Sequence, residues 1–369
     1  VNPAATTGAG GRLERAVLAQ LKHLEQTYPG ATLLVACSGG ADSLALAAAC
    51  ARLAPARTFK LVAATVDHGW RPESAAQARR VQEILTGLGY RQVALLELSR
   101  QEAGGGKEGA ARKGRYRALV AEASRYGKLG SEVFILLGHT RDDQAETVLL
   151  GLIRGSGPRS IAGMRSWGRN EKTQEKVASE SQIGSQAGYL RPLLELPRQD
   201  TVAACQEWRL PYIDDPSNYP DGPVKAVDGS PLRRAALRHQ GLPALEKALG
   251  MDPRPALART AALLQADLDA LDTLAESWFT QVKREKPEGV RLETRQLLSQ
   301  PAAIRKRVWR LAALAAGARA SDLRKVQLDA VDFLATARRG TGPIQLPGKI
   351  NCTREAGSYE LCFRREPRG

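Results

Sequence analysis

A chain of 369 residues, 43% hydrophobic and 25% charged, is long enough for two or three globular domains, and it has no apolar run of the roughly 20 residues a bilayer span needs. Its 54 Lys and Arg against 39 Asp and Glu leave a net charge of +15, which points to a polyanionic partner such as nucleic acid. The five cysteines form no CxxC pair and no cluster with histidine, so neither a structural zinc nor a disulfide framework is indicated, and an odd count without a secretory signal fits a reducing cytoplasm.

Residues 1–30 read as a disordered tail, VNPAATTGAGG, and a lead helix. Residues 31–37 (ATLLVAC) are an apolar run that meets the turn Ser38-Gly39-Gly40 and then the Ala/Leu-rich DSLALAAACARL, a strand–loop–helix unit. FKLVAATVDHG predicts a second strand, ESAAQARRVQEILTGLG a helix closed by Gly, RQVALLELS a third strand, RKGRYRALVAEASRYGK a further helix and SEVFILLGHT a fourth strand. Strands alternating with helices predict an α/β fold with a doubly wound parallel sheet, whose ligands lie outside the carboxyl ends of the strands. SGGADS, VDHG and GHTRDD all fall at such ends.

The first domain is expected to span 31–225, with the polar stretch 166–188 as a flexible insertion. From 226 to 369 the pattern predicts a mainly helical domain with a small C-terminal element: helices over 233–249, 255–279 and 301–316, then short β pairs within 341–365. Residues 301–369 hold 14 Lys and Arg against 6 Asp and Glu, a basic tail suited to RNA.

The loop Ser38-Gly39-Gly40-Ala41-Asp42-Ser43 suits an anion. Its two glycines let backbone N–H groups approach closely, its serines add hydroxyls, and the helix that follows adds partial positive charge. A tight turn merely capped by Asp42 or Ser43 is the plainer alternative. No Lys follows the glycines and no GxGxxG is present, so neither a kinase-type phosphate loop nor a dinucleotide fingerprint applies. N–H groups without that Lys suit departing pyrophosphate rather than a transferred γ-phosphoryl group. Asp142, Asp143 and Glu146 follow His139 at a strand end, and the spacing puts Asp143 and Glu146 on one helix face. Carboxylates there suit Mg²⁺ or the ammonium of an amine substrate, unless they only satisfy the helix dipole. Arg112 and Arg115 are placed to pair with phosphate or RNA, Asp67 and His68 to lie near the nucleotide, and DDPSN at 214–218 is a strong turn.

SGGADS, with VDHG at 66–69, AARKGRY at 110–116, GHTRDDQAET at 138–147, RGSGPRSIAGM at 154–164, RPLL at 191–194 and DDPSN, resembles the N-type ATP pyrophosphatases, the PP-loop family. Within it the chain is most similar to the tRNA(Ile)-lysidine synthetases, from about 31 to 250 and more weakly beyond. The resemblance implies a ligase that uses ATP and Mg²⁺. It adenylates the C2 carbonyl of the wobble cytidine in a CAU-anticodon isoleucine tRNA, then joins free lysine to form lysidine, releasing AMP and pyrophosphate. It implies ATP contacts from Ser38 to Ser43, Asp67 and His68, with Mg²⁺ on Asp42. Catalytic roles fall to Asp42, Arg112, His139 and Asp143, and lysine to Asp143 and Glu146. tRNA contacts are expected from Arg115, Arg191, Arg234 and Arg238, with Tyr116, Trp208 and Tyr212 as candidate stacking rings. The chain departs from the family at Ala235, where RNRIR-like segments carry Asn, at Ser160, and in extra residues over 224–231. A tRNA thiolase of the same fold and a non-catalytic tRNA-binding protein are the competing readings. Oligomeric state, a homodimer being one option, is left open.

Overall fold

The computed structural model describes residues 7–67, 69, 73–98, 108–127, 130–155, 157–169, 187–226, 228–286, 289–320, 322–337, 342–355 and 357–366. Helix α1 (Ala9–Thr27) leads into β1 (Thr32–Ala36), α2 (Ala41–Leu53), β2 (Lys60–Asp67), α3 (Ser74–Gly87), β3 (Val93–Glu97), α4 (Glu108–Gly127), β4 (Val133–Leu137), α5 (Arg141–Ile153), a short α6 (Gly157–Ile161), β5 (Trp167–Arg169), β6 (Ala187–Leu190) and α7 (Arg198–Glu207). Among the described residues these strands form one sheet in the order β3-β2-β1-β4-β6-β5, parallel except for β5. The α/β expectation holds, and the strand order reverses between β1 and β4, the point at which such sheets open a crevice.

Alternation along the strands explains why both faces carry helices. Leu33 and Val35 of β1, with Phe134 and Leu136 of β4, pack with α1, α2 and α7. Their neighbours Leu34, Val133, Ile135 and Leu137 pack instead with Tyr116, Leu119 and Ala123 of α4. A sheet buried on both sides gives unbroken apolar runs, which is why ATLLVAC and VFILL read so clearly as strands. The strands at 167–169 and 187–190 correct the edges of the flexible insertion; residues 170–186 lie outside the described residues.

The tail also needs correcting. Ala9, Gly10 and Gly11 are buried in the first turn of α1. The cap comes from 198 residues away: the Glu207 carboxylate accepts hydrogen bonds from Ala9 N–H and Gly10 N–H at 2.8 Å each. Gly10 lies under Trp208, where a Cβ would come within 2.7 Å of the indole. Glu207→Ala is expected to lower stability by about 1 kcal/mol, the usual cost of losing an N-cap, measured by chemical denaturation.

Beyond α7 come α8 (Arg233–Ala236), a π-helical turn (Leu237–Gly241), α9 (Leu242–Leu249) and the long α10 (Arg254–Val282). The chain divides into two compact units at 264/265, inside α10 and well past residue 226. The reason is that Arg234, Arg238 and Arg254 bond to Thr147, Asp143, Glu146 and Asp142 of α5. The second unit adds β7 (Lys283–Lys286), β8 (Gly289–Glu293), α11 (Ala302–Ala315), α12 (Lys325–Thr336), β9 (Ile344–Leu346), β10 (Ile350–Arg354) and β11 (Glu360–Arg365). Its described strands form an antiparallel sheet, β7-β8-β11-β10-β9, so the small β element is larger than expected. Its core surrounds the fully buried Trp309, whose indole N–H and the Arg305 guanidinium both donate to Asp332. No helix among the described residues is long and apolar enough to cross a membrane.

Candidate active site

The loop after β1 is held by its own serine. Ser43 Oγ accepts from Ser38 N–H at 3.1 Å, donates to the Gly40 carbonyl at 3.1 Å and lies 3.2 Å from Ser38 Oγ. Expected to face a ligand, the Ser43 hydroxyl instead staples the turn. Gly39 takes φ +86°, open to glycine at little cost, and its carbonyl accepts from Ile213 N–H at 2.9 Å. The first intrahelical bond of α2 runs from Leu44 N–H to Gly40 O, so the Ala41, Asp42 and Ser43 N–H groups precede it at the helix N-terminus. Gly138, the residue after β4, presses on this turn: a Cβ there would lie 2.9 Å from the Asp42 carbonyl carbon and oxygen and 2.9 Å from Ser43 Cα.

The three carboxylates of α5 part company. Asp142 turns to the start of α7, accepting from Arg198 N–H at 2.8 Å, and pairs with Arg254 at 3.3 Å. Asp143 uses Oδ2 to accept from Thr140 N–H (2.8 Å) and hydroxyl (3.0 Å), and Oδ1 to accept from Arg238 at 3.1 Å. Glu146 is fully buried and accepts from Arg238 Nε at 2.6 Å. Burial opposes ionisation of Asp143, but Arg238 first, then Thr140 N–H and Arg234, outweigh it and hold the carboxyl below the ordinary 3.8. Burial pushes Glu146 upward, with Arg238 offsetting and Asp143 adding.

Asp42 faces this pair from α2. The Thr201 hydroxyl donates to its Oδ1, and Arg198 lies 3.5 Å from Oδ2. Burial raises its carboxyl to about 6; Arg198 offsets this and the charge of Asp143 adds to it. Among the described residues no three His, Cys, Asp or Glu side chains are grouped to cage a metal.

On the other side the site is cationic. His139 Nδ1 accepts from Arg191 Nε–H at 3.2 Å, which assigns the remaining ring proton to Nε2. Burial, then the charges of Arg191, Arg112 and Arg234, outweigh Asp143 and keep the imidazole neutral, well below its ordinary 6.5. Arg191, expected on an RNA surface, is only 4% exposed and also donates to the Arg165 carbonyl at 2.9 Å, so it orients His139 from beneath. Arg238, expected to meet RNA, is turned to the two carboxylates. Arg234 donates to Thr147 at 3.3 Å, Arg112 lies 5.4 Å over the Tyr116 ring, and Arg115 is exposed. Tyr116 is 4% exposed, which removes it as a stacking platform. Asp67 caps its own turn by accepting from Gly69 N–H at 2.9 Å; His68 lies outside the described residues. Asp215 likewise closes the DPSN turn through Ser217 N–H at 2.9 Å.

Arg198, Thr201 and Gly138 were not singled out from the sequence. Thr201 lies 159 positions from Asp42, and no local pattern marks it. Gly138 stood within the GHTRDD motif, but only the close approach reveals its part.

The described residues therefore join an N–H loop, buried carboxylates and a neutral histidine ringed by arginines at the carboxyl ends of β1 and β4. Residues 13–245 match the model of a family described as the PP-loop domain. The chain is 45% identical over 330 residues to the tRNA(Ile)-lysidine synthase of Streptomyces coelicolor, covering 88% of this chain and 83% of that one. It is 41% identical to that of Salinispora arenicola, covering 94% of both, and 39% identical to that of Thermobifida fusca, covering 89% and 90%. Among solved structures the U34-tRNA thiolase NcsA of Methanococcus maripaludis, with its 4Fe-4S cluster, shares the fold at TM-score 0.50 and 16% identity, over 69% of this chain and 79% of that one.

Proposed function

Because the chain belongs to the tRNA(Ile)-lysidine synthase family of PP-loop, ATP-using ligases, we propose that its β1/β4 crevice joins free lysine to the wobble cytidine of a CAU-anticodon isoleucine tRNA in two steps. The cytidine C2 oxygen attacks the α-phosphorus of ATP and the bond to pyrophosphate breaks. The neutral ε-amine of lysine then attacks C2, loses a proton, and AMP leaves with the C2 oxygen. The observation that carries this reading is the facing arrangement of the phosphate loop, Asp143 with Glu146, and His139 with its arginines.

Each group has a task. The Ala41, Asp42 and Ser43 N–H groups receive departing pyrophosphate as a helix N-terminus receives an anion. His139 Nε2–H and Arg112 stabilise charge growing on the transferred phosphate. Asp143 and Glu146 hold an ammonium of lysine. The pairing of Asp42 with Asp143 suits a cation that arrives with the triphosphate, since Mg²⁺ is commonly bound by one or two carboxylates together with substrate phosphates. Asp42 would hold it, and the ion would offset phosphate charge there. The net charge of +15 supports tRNA docking, and the reading implies a cytoplasmic enzyme.

The thiolase reading needs a reactive thiol. Cys37, Cys50 and Cys205 are buried, and burial pushes Cys50 and Cys205 to about 12, against thiolate formation. A non-catalytic RNA binder has no use for the Asp42–Asp143–His139 grouping. Mass analysis of tRNA(Ile) after incubation with ATP and lysine tests the proposal: the nucleoside is expected to gain lysine less water, and an unchanged cytidine overturns it. Asp143→Asn is expected to raise the lysine KM about tenfold or more, as for a lost charged hydrogen bond, while ATP binding persists. Steady-state kinetics with lysine varied checks this.

A further inference from the structure

Of the four carboxylate oxygens that Asp143 and Glu146 present, three are engaged. Asp143 Oδ2 takes the Thr140 cap, while Asp143 Oδ1 and Glu146 Oε1 both receive Arg238, at 3.1 and 2.6 Å. Glu146 Oε2 is buried and accepts no hydrogen bond among the described residues. A buried carboxylate oxygen without a donor is costly and uncommon, and it marks a site shaped for one more donor than the protein supplies. Arg238 reaches these oxygens from the π-helical turn Leu237–Gly241. Such turns are rare and recur at functional sites. Tyr219 stacks on His239 of the same turn, with ring centroids 4.7 Å apart, so the turn is anchored beside the one side chain that enters the site.

Resting on the reading that Asp143 and Glu146 hold lysine, we propose that Arg238 is an internal cation occupying the lysine site of the unliganded enzyme, displaced when lysine binds. An ammonium and the guanidinium cannot take the same 2.6–3.1 Å positions together. Exchanging one cation for another keeps both buried carboxylates paired throughout, whereas removing a partner outright would strand a buried charge. It also makes the site selective, since a neutral molecule cannot replace the guanidinium. Arg238 has somewhere to go: Asp42 lies within its electrostatic reach, and phosphates gathered on the loop beside Asp42 offer it a second anionic partner. The apparent affinity for lysine is therefore lowered by the fraction of molecules in which Arg238 remains seated.

Equilibrium dialysis of the full chain with labelled lysine, without ATP or tRNA, tests this. Arg238→Met keeps the aliphatic stem and removes the competing charge, so lysine is expected to bind about tenfold tighter or better. Unchanged or weaker binding, alongside loss of binding in Asp143→Asn, overturns the gate and spares the lysine site. Undiminished binding in Asp143→Asn overturns the lysine site and the gate with it. Should Arg238→Met not fold, arginine Nε NMR of the wild type decides. The Arg238 Nε–H resonance, identified by its absence from Arg238→Lys, is expected to shift and lose exchange protection at saturating lysine. A resonance unmoved by lysine overturns the proposal.

Discussion

Gly138→Ala is expected to lower kcat/KM for ATP about a thousandfold while leaving the chain folded. A Cβ at this position would lie 2.9 Å from the Asp42 carbonyl carbon and oxygen and from Ser43 Cα, closer than real Cβ contacts come. Both neighbours are backbone, so no side chain can rotate away. Gly138 does not adopt positive φ, so alanine meets no conformational penalty of its own there. The strain must instead separate the end of β4 from the start of α2. That start carries the N–H groups assigned to pyrophosphate, and misplacing reacting groups by about 1 Å costs on the order of a hundredfold. Weakening preorganised donors, without removing them, adds about another tenfold. The core of alternating β1 and β4 residues lies deeper in the sheet, so the melting temperature is expected to move by no more than about 4 °C. Pyrophosphate release with tRNA, together with a thermal melt, checks both halves. Activity within tenfold of wild type would show that this close approach does not set the loop.

The contrast between Gly138 and the serines of the loop shows what a sequence conveys. Strands β1 and β4 were legible because a sheet buried on both faces demands continuous apolar residues, and the loop because glycines separate such a run from a helix. Partners distant in the chain were not. Arg238 lies 92 residues from Glu146 and 95 from Asp143, and Arg191 lies 52 from His139. Their charge reads equally well as an RNA contact until the fold buries them. Ser43 could equally have faced a ligand or stapled its own turn. Near the other end of the chain, α12 escaped notice because its exposed Val326 and Phe333 blur the apolar stripe of Val331, Leu334 and Ala335. The hairpin strand β7, Lys283–Lys286, carries only charged residues and gives no apolar alternation to read.

Arg191→Met is expected to cost about a hundredfold in kcat and to give the enzyme a pH limb it otherwise lacks. Arg191 acts through His139. Its Nε–H holds Nδ1 as an acceptor, which keeps the proton on Nε2 and fixes the ring's orientation. Its charge also helps hold the imidazole neutral, against Asp143, which favours protonation. Methionine fills much of the buried volume but leaves Nδ1 without a donor and removes one of the three neighbouring arginine charges. The histidine pKa then rises from far below 6.5 toward that ordinary value. The sign follows directly. In the wild type His139 is neutral through the neutral range, so kcat shows no inflection from it there. In the variant kcat falls as pH drops through the raised pKa. Stability tied to neutral His139 behaves consistently: it is complete above the unfolded value near 6.5, is lost as pH falls toward the depressed folded value, and shrinks in the variant. A variant that merely loosened the fold would lower kcat equally at every pH. A kcat profile without the new acid limb would therefore remove Arg191 from the control of His139, whatever its effect on rate.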